Sequence, residues 1–522
     1  AGYLLHAVVA PRRALEATRS RLQAAGERLT IEECVGPRVP AHEAAARRFL
    51  LAAQSLWAQR SLAEQLDCAA PRAMEMVAPG KALVGWQQGA LPGDQGRCPA
   101  ILRDRARLAR GSEARGGTEA VAPVPAPPTW EDLAVGLRHC APALNEIREA
   151  SRAAAFDWSL DYSQDPARVQ PYLILCPAVV RGLQAAILLA LHEGRRDDAL
   201  EFLETQLRIV RHFPPNGLET GEGWRLDMAS LAWSATWEAL QAEGWTDDQL
   251  RRLQQAWQET DFIGCMIRGL EMERALGLTD YAHCREDPGR LGTLIRARGG
   301  GRLGGTGPPP LSIRNLSSIP WRVVRSFHCR SEGARARVWA WTKSWDDERC
   351  YLEMTHLMIT EARARLALAR PPRVLPLTLP AGKRFVLTGV LSPSVYDPIR
   401  RHMLASISLL RLDTRMAIAF PPQAQREMAL TAVALKRHQL RHGTHPEDLA
   451  ELVPAFLSEV PMDWMDGQPL RYRRLEGQRF LLYSVSDDGI DQGGDPTVSG
   501  VPRKSVALDK GRDFVWPEAV SP

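Results

Sequence analysis

Near the end of the chain, residues 481–496 read LLYSVSDDGIDQGGDP, so Asp487, Asp488, Asp491 and Asp495 crowd a short glycine-rich stretch. Like charges this close repel, and carboxylates so arranged need a compensating cation. Calcium fits that demand: it takes roughly six to eight oxygens from carboxylates and loop carbonyls, and glycines let the backbone fold around it. Asp488 and Asp491 are the preferred side-chain ligands, with Asp487 and Asp495 next, and Asp463 or Asp466 approaching from the preceding turn. The loop is not an EF-hand, because the alternating aspartates closed by a glutamate are missing. The alternative is a solvated acidic turn that holds no metal.

Other residues have types that could do chemistry but lack the partners for it. His438 and His442 stand four apart, as in the zinc motif H-E-x-x-H, with His445 nearby. Gln439 occupies the position of the general base, and the pair sits in the last helical turn before Gly443, where polar or cationic groups complement the helix dipole. Their expected role is therefore structural. Ser484 lacks the G-x-S-x-G elbow of a hydrolase nucleophile. The glycine-rich run at 296–305 has no G-K-[ST] after it and no strand before it, so it is not a phosphate loop. Asp197, Asp198, Asp247 and Asp248 open helices, where acids favour the dipole. The chain has 15 tryptophans. Trp224, Trp233, Trp237, Trp245 and Trp257 fall in one helical region, where they either pack helices together or line a groove for a sugar or peptide.

The elements that must carry these residues are mostly helical. An apolar start at 1–10 precedes Pro11, Arg12 and Arg13. It suits either the last turns of an export or anchor segment or a buried N-terminal helix. From Arg13 to Gly26 the pattern predicts an exposed stalk helix, and 41–66 a second helix rich in Ala and Leu. Residues 97–128, with Pro, Gly and small residues but no periodicity, read as a linker. Residues 181–213 read as helix, turn at Gly194, helix. The inner face of the second helix is Ala199, Leu200, Leu203, Leu207 and Val210. This pair resembles a tetratricopeptide hairpin, although no repeat of that period persists. Thr246 followed by Gln249 has capping-box spacing. Residues 296–311 read as a flexible basic loop. Helices are expected at 334–368 and 398–436, with a small strand pair or loop in 373–393 between them.

Composition limits the class. At 522 residues, with 45% hydrophobic and 24% charged residues, the chain is long enough for several folding units and is globular in balance. A formal charge of +5, with arginines dispersed and no basic stripe interleaved with aromatics, excludes a nucleic-acid partner from the expectation. The 9 cysteines never form C-x-x-C, so zinc-ribbon and haem-attachment spacings are absent. Cys176 and Cys265 read as buried thiols. Cys329 and Cys350 lie in polar sequence and could pair in an oxidising compartment.

From Gln423 onward the sequence resembles the C-terminal part of the major pseudopilin of type II secretion. The matching elements are Gly443 with Pro446; Pro461, Asp463, Asp466, Gly467, Pro469 and Tyr472; then Tyr483, Ser484, Asp488, Gly489, Gly493 and Gly494. Ser486 stands where that motif has glycine, and the chain does not open with the pseudopilin assembly helix, so polymerisation into a pilus is not expected. Residues 21–33, RLQAAGERLTIEE, are similar to the opening of large bacterial envelope proteins that carry the same tail. The resemblance implies a calcium loop in a small α+β module.

The expected fold is mainly α: a helical, tetratricopeptide-like body with a C-terminal pseudopilin-like module. The expected units are an anchor remnant and stalk at 1–40, a helical segment at 41–96, the linker at 97–128, the body at 129–422 and the module with its tail at 423–522. The expected function is a non-enzymatic, envelope-associated scaffold or assembly subunit that engages protein partners or itself, with N-terminal membrane association and a periplasmic or outer-surface location. The alternative is a cell-envelope enzyme acting on glycans in a cleft lined by tryptophans and acids within the helical body.

Overall fold

The computed structural model describes residues 2–58, 130–160, 171–214, 222–299, 332–368, 376–378, 384–386, 404–405, 408, 420–476, 478–485, 489–494 and 513–516. The linker 97–128, Cys329, Asp487, Asp488 and Asp495 lie outside these residues.

The chain opens with α1 (Gly2–Ala24), a single helix that continues through Pro11. The expected exposed stalk is corrected here. Leu15 and Leu22 are 1% and 2% exposed, packed in a core shared with later helices. Arg19 pairs with the buried Glu348 from far along the chain, whereas Arg12 pairs within the helix with Glu16. One face of the helix is packed, while most of its charged side chains stay exposed. Next comes the short α2 (Ile31–Val35). It is held by a capping box in which Thr30 accepts from the Glu33 N–H and Glu33 accepts from the Thr30 N–H.

The body follows as α3 (Pro40–Ala58), α4 (Trp130–Ser151), α5 (Pro171–His192), α6 (Arg196–His212), α7 (Glu222–Gln241) and α8 (Asp247–Gln258). The α5–α6 hairpin forms as its pattern requires. Gly194 takes φ +76° at the turn, a left-handed conformation glycine adopts without penalty. Ala199, Leu200, Leu203, Leu207 and Val210 are all buried, and each fully buried leucine contributes about 2 kcal/mol. α5 is long and apolar enough to cross a membrane by length and composition, yet it lies buried among its neighbours. The Thr246–Gln249 capping box opens α8 as its spacing predicts.

Beyond it run α9 (Phe262–Glu286), α10 (Arg290–Gly299), α11 (Glu332–Thr342) and α12 (Ser344–Leu368). Because α10 extends to Gly299, residues 296–299 of the expected loop 296–311 are helical. A small antiparallel pair, β1 (Pro376–Thr378) with β2 (Arg384–Val386), occupies the expected place between helices.

The C-terminal part begins with α13 (Phe420–His442), which ends at Gly443, so position 423 falls inside a helix. A 3-10 turn at Leu449–Leu452 follows. Strands β3 (Arg471–Arg474), β4 (Phe480–Ser484) and β5 (Phe514–Val515) then form an antiparallel sheet in that order. Arg471 faces Tyr483 in register, and Tyr483 faces Val515.

This sheet shares its core with the body. Trp516 meets Trp233 edge to face at 5.0 Å, and Gln254 donates to the Phe456 carbonyl at 2.6 Å. Arg437 of α13 donates to both carboxylate oxygens of Asp247 at the start of α8. A second core joins α1, α9, α11 and α12.

Candidate metal centre in the C-terminal module

The turn after α13 places Asp463 and Asp466 beside the start of β3, and the loop after β4 brings Asp491 back to the same point. Between them lies Arg471, a cation the sequence reading did not single out. Its guanidinium contacts Asp463 at 3.2 Å, Asp466 more closely, and Asp491 at 3.4 Å. The hydrogen bond to Asp466, together with the negative charge of Asp463 and Asp491, holds Arg471 above the ordinary arginine range. Arg471 therefore supplies part of the compensation that the aspartates demand.

Asp463 is fully buried and saturated. One oxygen accepts from the Ser484 hydroxyl at 2.7 Å and the Met465 N–H at 2.9 Å. The other accepts from the Val485 N–H at 2.8 Å and from Arg471. Asp466 is engaged by Arg471 and by the Gln468 N–H. Asp463 and Asp466 do approach the loop, as expected, and there they engage an arginine and the turn backbone. Ser484, excluded above as a nucleophile, braces Asp463.

Asp491 and Asp513 are different. The Asp491 carboxylate accepts from the Tyr483 hydroxyl at 2.9 Å and the Gly493 N–H at 2.8 Å. The Gly493 bond leads in holding it below the usual aspartate range, aided by Tyr483 and Arg471. Asp513 enters just before β5 and is 6% exposed. One of its oxygens accepts from the Gln492 and Gly494 N–H groups at 2.9 and 2.8 Å. The other is buried with no hydrogen-bond partner among the described residues. Burial, reinforced by the charge of Asp491, pushes the Asp513 carboxyl up. A buried carboxylate oxygen without a donor is costly unless a cation meets it.

Gly494 locks this corner. It takes φ +77°, and a Cβ there would sit 2.9 Å from a Leu481 methyl and 3.0 Å from the Tyr483 ring. A residue with a side chain there would hold a strained backbone and push on the Leu481 and Tyr483 side chains. The loop backbone is thus pressed against the sheet, with its N–H groups turned to Asp513.

These observations test the fit of a calcium ion. Asp491 and Asp513 would contribute hard oxygens, and the orphaned Asp513 oxygen is the atom a cation would meet. Asp487, Asp488 and Asp495, proposed from sequence, lie outside the described residues. Among the described residues no group of three or more His, Cys, Asp or Glu side chains is arranged to hold a metal. A complete site therefore needs carbonyls or the undescribed aspartates. Sequence reasoning missed Arg471 and Asp513. The signal for Arg471 was its place straight after the D-x-x-D-G turn; Asp513 had only the sequence DFVW, a strand start remote from the loop.

The other candidates resolve as structural. The His438 ring bonds the Thr444 carbonyl at 2.9 Å and lies 4.4 Å from His442, and both rings pack on Phe456. His445 is buried against Phe480, and burial pushes it down to about 4. Trp233, Trp237, Trp245 and Trp257 are core residues, with only Trp224 exposed at 39%. Of the two readings of these tryptophans, helix packing is the one observed: the indoles fill space between helices, and the Trp257 N–H donates to Thr236. Asp197 accepts from Gln249, Asp198 pairs with Arg195, Asp247 with Arg437 and Asp248 with Arg251. Cys176 and Cys265 are buried thiols as expected.

Comparison with family models, with curated proteins and with solved structures finds no match.

Proposed function

We propose that this protein is a non-enzymatic, envelope-associated scaffold or assembly subunit whose C-terminal pseudopilin-like module is tied down by calcium. The observation that carries the reading is the Asp513 oxygen, buried and without a donor among the described residues, beside a glycine-rich loop that brings in Asp491. A calcium ion there would compensate that oxygen and fasten the loop to β4 and β5, with Asp487, Asp488 and Asp495 completing the oxygen set. Its role is structural: it closes a loop.

The scaffold reading is supported by a helical body whose hairpins offer extended surface, in the manner of helical binding platforms. It is further supported by the fate of the acids and tryptophans, which are spent on capping and packing. Calcium loops of modest affinity fill where calcium is plentiful, outside the cytosol, so the same reading carries the protein to the periplasm or the outer surface.

Thermal unfolding with calcium and with chelator tests the ion. Calcium at about a hundred times its Kd should stabilise by about 2.7 kcal/mol. An identical melt in both conditions would remove the calcium reading. Isolation of the protein from its native membranes as a stoichiometric member of a larger assembly tests the scaffold; a monomer without partners would sink it.

A further inference from the structure

The first helix and the corner between α11 and α12 meet at one level of the molecule. α1 and α12 pack side by side and run in the same direction: Arg12 stacks on Trp345, Arg19 pairs with Glu348, and Glu27 pairs with Arg363 beside His356. Going back along α12 from Glu348 to Trp345, and on to Trp341 in the last turn of α11, therefore means going back along α1 towards its apolar residues 3–10, YLLHAVVA. Those residues belong to the same unbroken helix as the packed Leu15 and Leu22, so the body fixes the direction they take.

The corner presents a large indole to solvent, since Trp341 is 58% exposed. Arg337, one turn before it on α11, is exposed as well, and helical residues four apart are neighbours. Arg13 is exposed just after the apolar run of α1 ends. Neither Arg337 nor Arg13 has a carboxylate partner among the described residues, whereas Arg12 pairs with Glu16 and Arg285 with Glu348. An apolar helix start, an exposed indole and two uncommitted cations have the composition of a membrane–water interface. Tryptophan settles there at headgroup level, and arginine meets lipid phosphates while its stem lies against apolar chains.

We infer that the protein rests on an anionic phospholipid bilayer through this corner, with Arg13, Arg337 and Trp341 at headgroup level and residues 3–10 directed into the apolar layer. Eight residues of helix reach about 12 Å, against a hydrocarbon core of about 30 Å. By themselves they enter one leaflet, and the corner adds a second contact that sets the orientation of the body on the membrane. The inference rests on the envelope association proposed above and deepens it by giving the lipid-facing surface.

The test is flotation of the full chain with vesicles of phosphatidylcholine and phosphatidylglycerol, beside vesicles of phosphatidylcholine alone. The protein should float with the anionic vesicles, and less with the neutral ones or at high salt. Trp341→Ala should lower partitioning by about tenfold, the scale of withholding one large apolar side chain, and Trp341→Phe should restore part of it. Arg337→Glu should weaken binding to the anionic vesicles by about fivefold, the scale of one cation at an anionic surface. Both positions are exposed, so the variants should melt as the parent does. Hydrogen exchange of the unaltered protein should slow on vesicles at 337–345, a reading that needs no variant. No flotation, undiminished flotation of Trp341→Ala, equal flotation with both kinds of vesicle, or exchange protection that leaves out 337–345 would each overturn the proposal. Self-association without vesicles that Trp341→Ala abolishes would overturn it too, by assigning the corner to a second copy of the chain. Failure here leaves isolation of a native assembly standing as the separate test of the scaffold.

Discussion

The two large cores of this molecule are built from opposite materials. The core of α3 to α8 with α13 and the terminal sheet is apolar: leucines, alanines and five buried tryptophans fill it. The core of α1, α9, α11 and α12 is threaded with charge. Glu348 is fully buried between Arg19 and Arg285, and Glu27 pairs with Arg274 and Arg363. Asp347 is fully buried and accepts from Tyr281, Trp339 and the N–H groups of Leu404 and Ala405. Apolar packing tolerates many arrangements of similar volume, whereas each buried charge is costly unless one particular partner meets it. The first core should fail gradually with lost volume and the second abruptly with a lost partner.

The largest effect should come from the apolar side. Trp237 is fully buried, and Trp237→Ala should cost about 3–5 kcal/mol in denaturant unfolding. A loss under about 1 kcal/mol would mean that this core is not close-packed. On the charged side, Glu348→Ala should cost about 3 kcal/mol by leaving Arg285 without its carboxylate. The double replacement Glu348→Leu with Arg285→Met should recover most of that loss, although Arg285 also stacks on Trp345 at 4.1 Å. Equal destabilisation of single and double variants would show that the pair is not the source of the cost.

Acid should strain the apolar region through its buried histidines. Burial pushes His212 and His445 down to about 4, below the ordinary value of about 6.5. The unfolded chain takes up protons first as pH falls, so stability present above about 6.5 is lost progressively towards about 4, by up to roughly 3 kcal/mol per histidine. His445→Gln should flatten part of that slope in melts taken across the window, and an unchanged slope would exclude His445 as its origin.

The smallest effect should distinguish a charge that has its partner from one that lacks it. Asp513→Asn keeps an oxygen for the Gln492 and Gly494 N–H groups while removing the carboxylate charge. In chelator its stability should lie within about 1 kcal/mol of the parent, or above it. With calcium, its stabilisation should vanish while the parent keeps it. A variant that still gains stability from calcium would place the ion elsewhere.

How much was legible follows the same division. The α5–α6 hairpin, the Thr246 capping box, the stop at Gly443 and the strands around 475–478 are each set by residues within a few positions of one another, so reading along the chain finds them. The packing of one face of α1 was not legible, because its partners come from later helices, and the ion pair of Arg19 with Glu348 spans a sequence separation of 329 residues. The candidate site divides likewise: the loop aspartates and glycines are visible as local crowding. Their neighbours Arg471 and Asp513 become visible only once β3, β4 and β5 align.

By itself the sequence determined the helical class, the turns and caps, and the crowding of acids near its end, because periodicity, backbone conformation and like-charge repulsion act over a few residues. Only the tertiary structure decided which charges meet. It assigned Arg471 to Asp463 and Asp466 and left one oxygen of Asp513 buried without a described donor. Coulomb energy in a low-dielectric interior depends on distance in space, and distance in space is what a linear sequence does not carry.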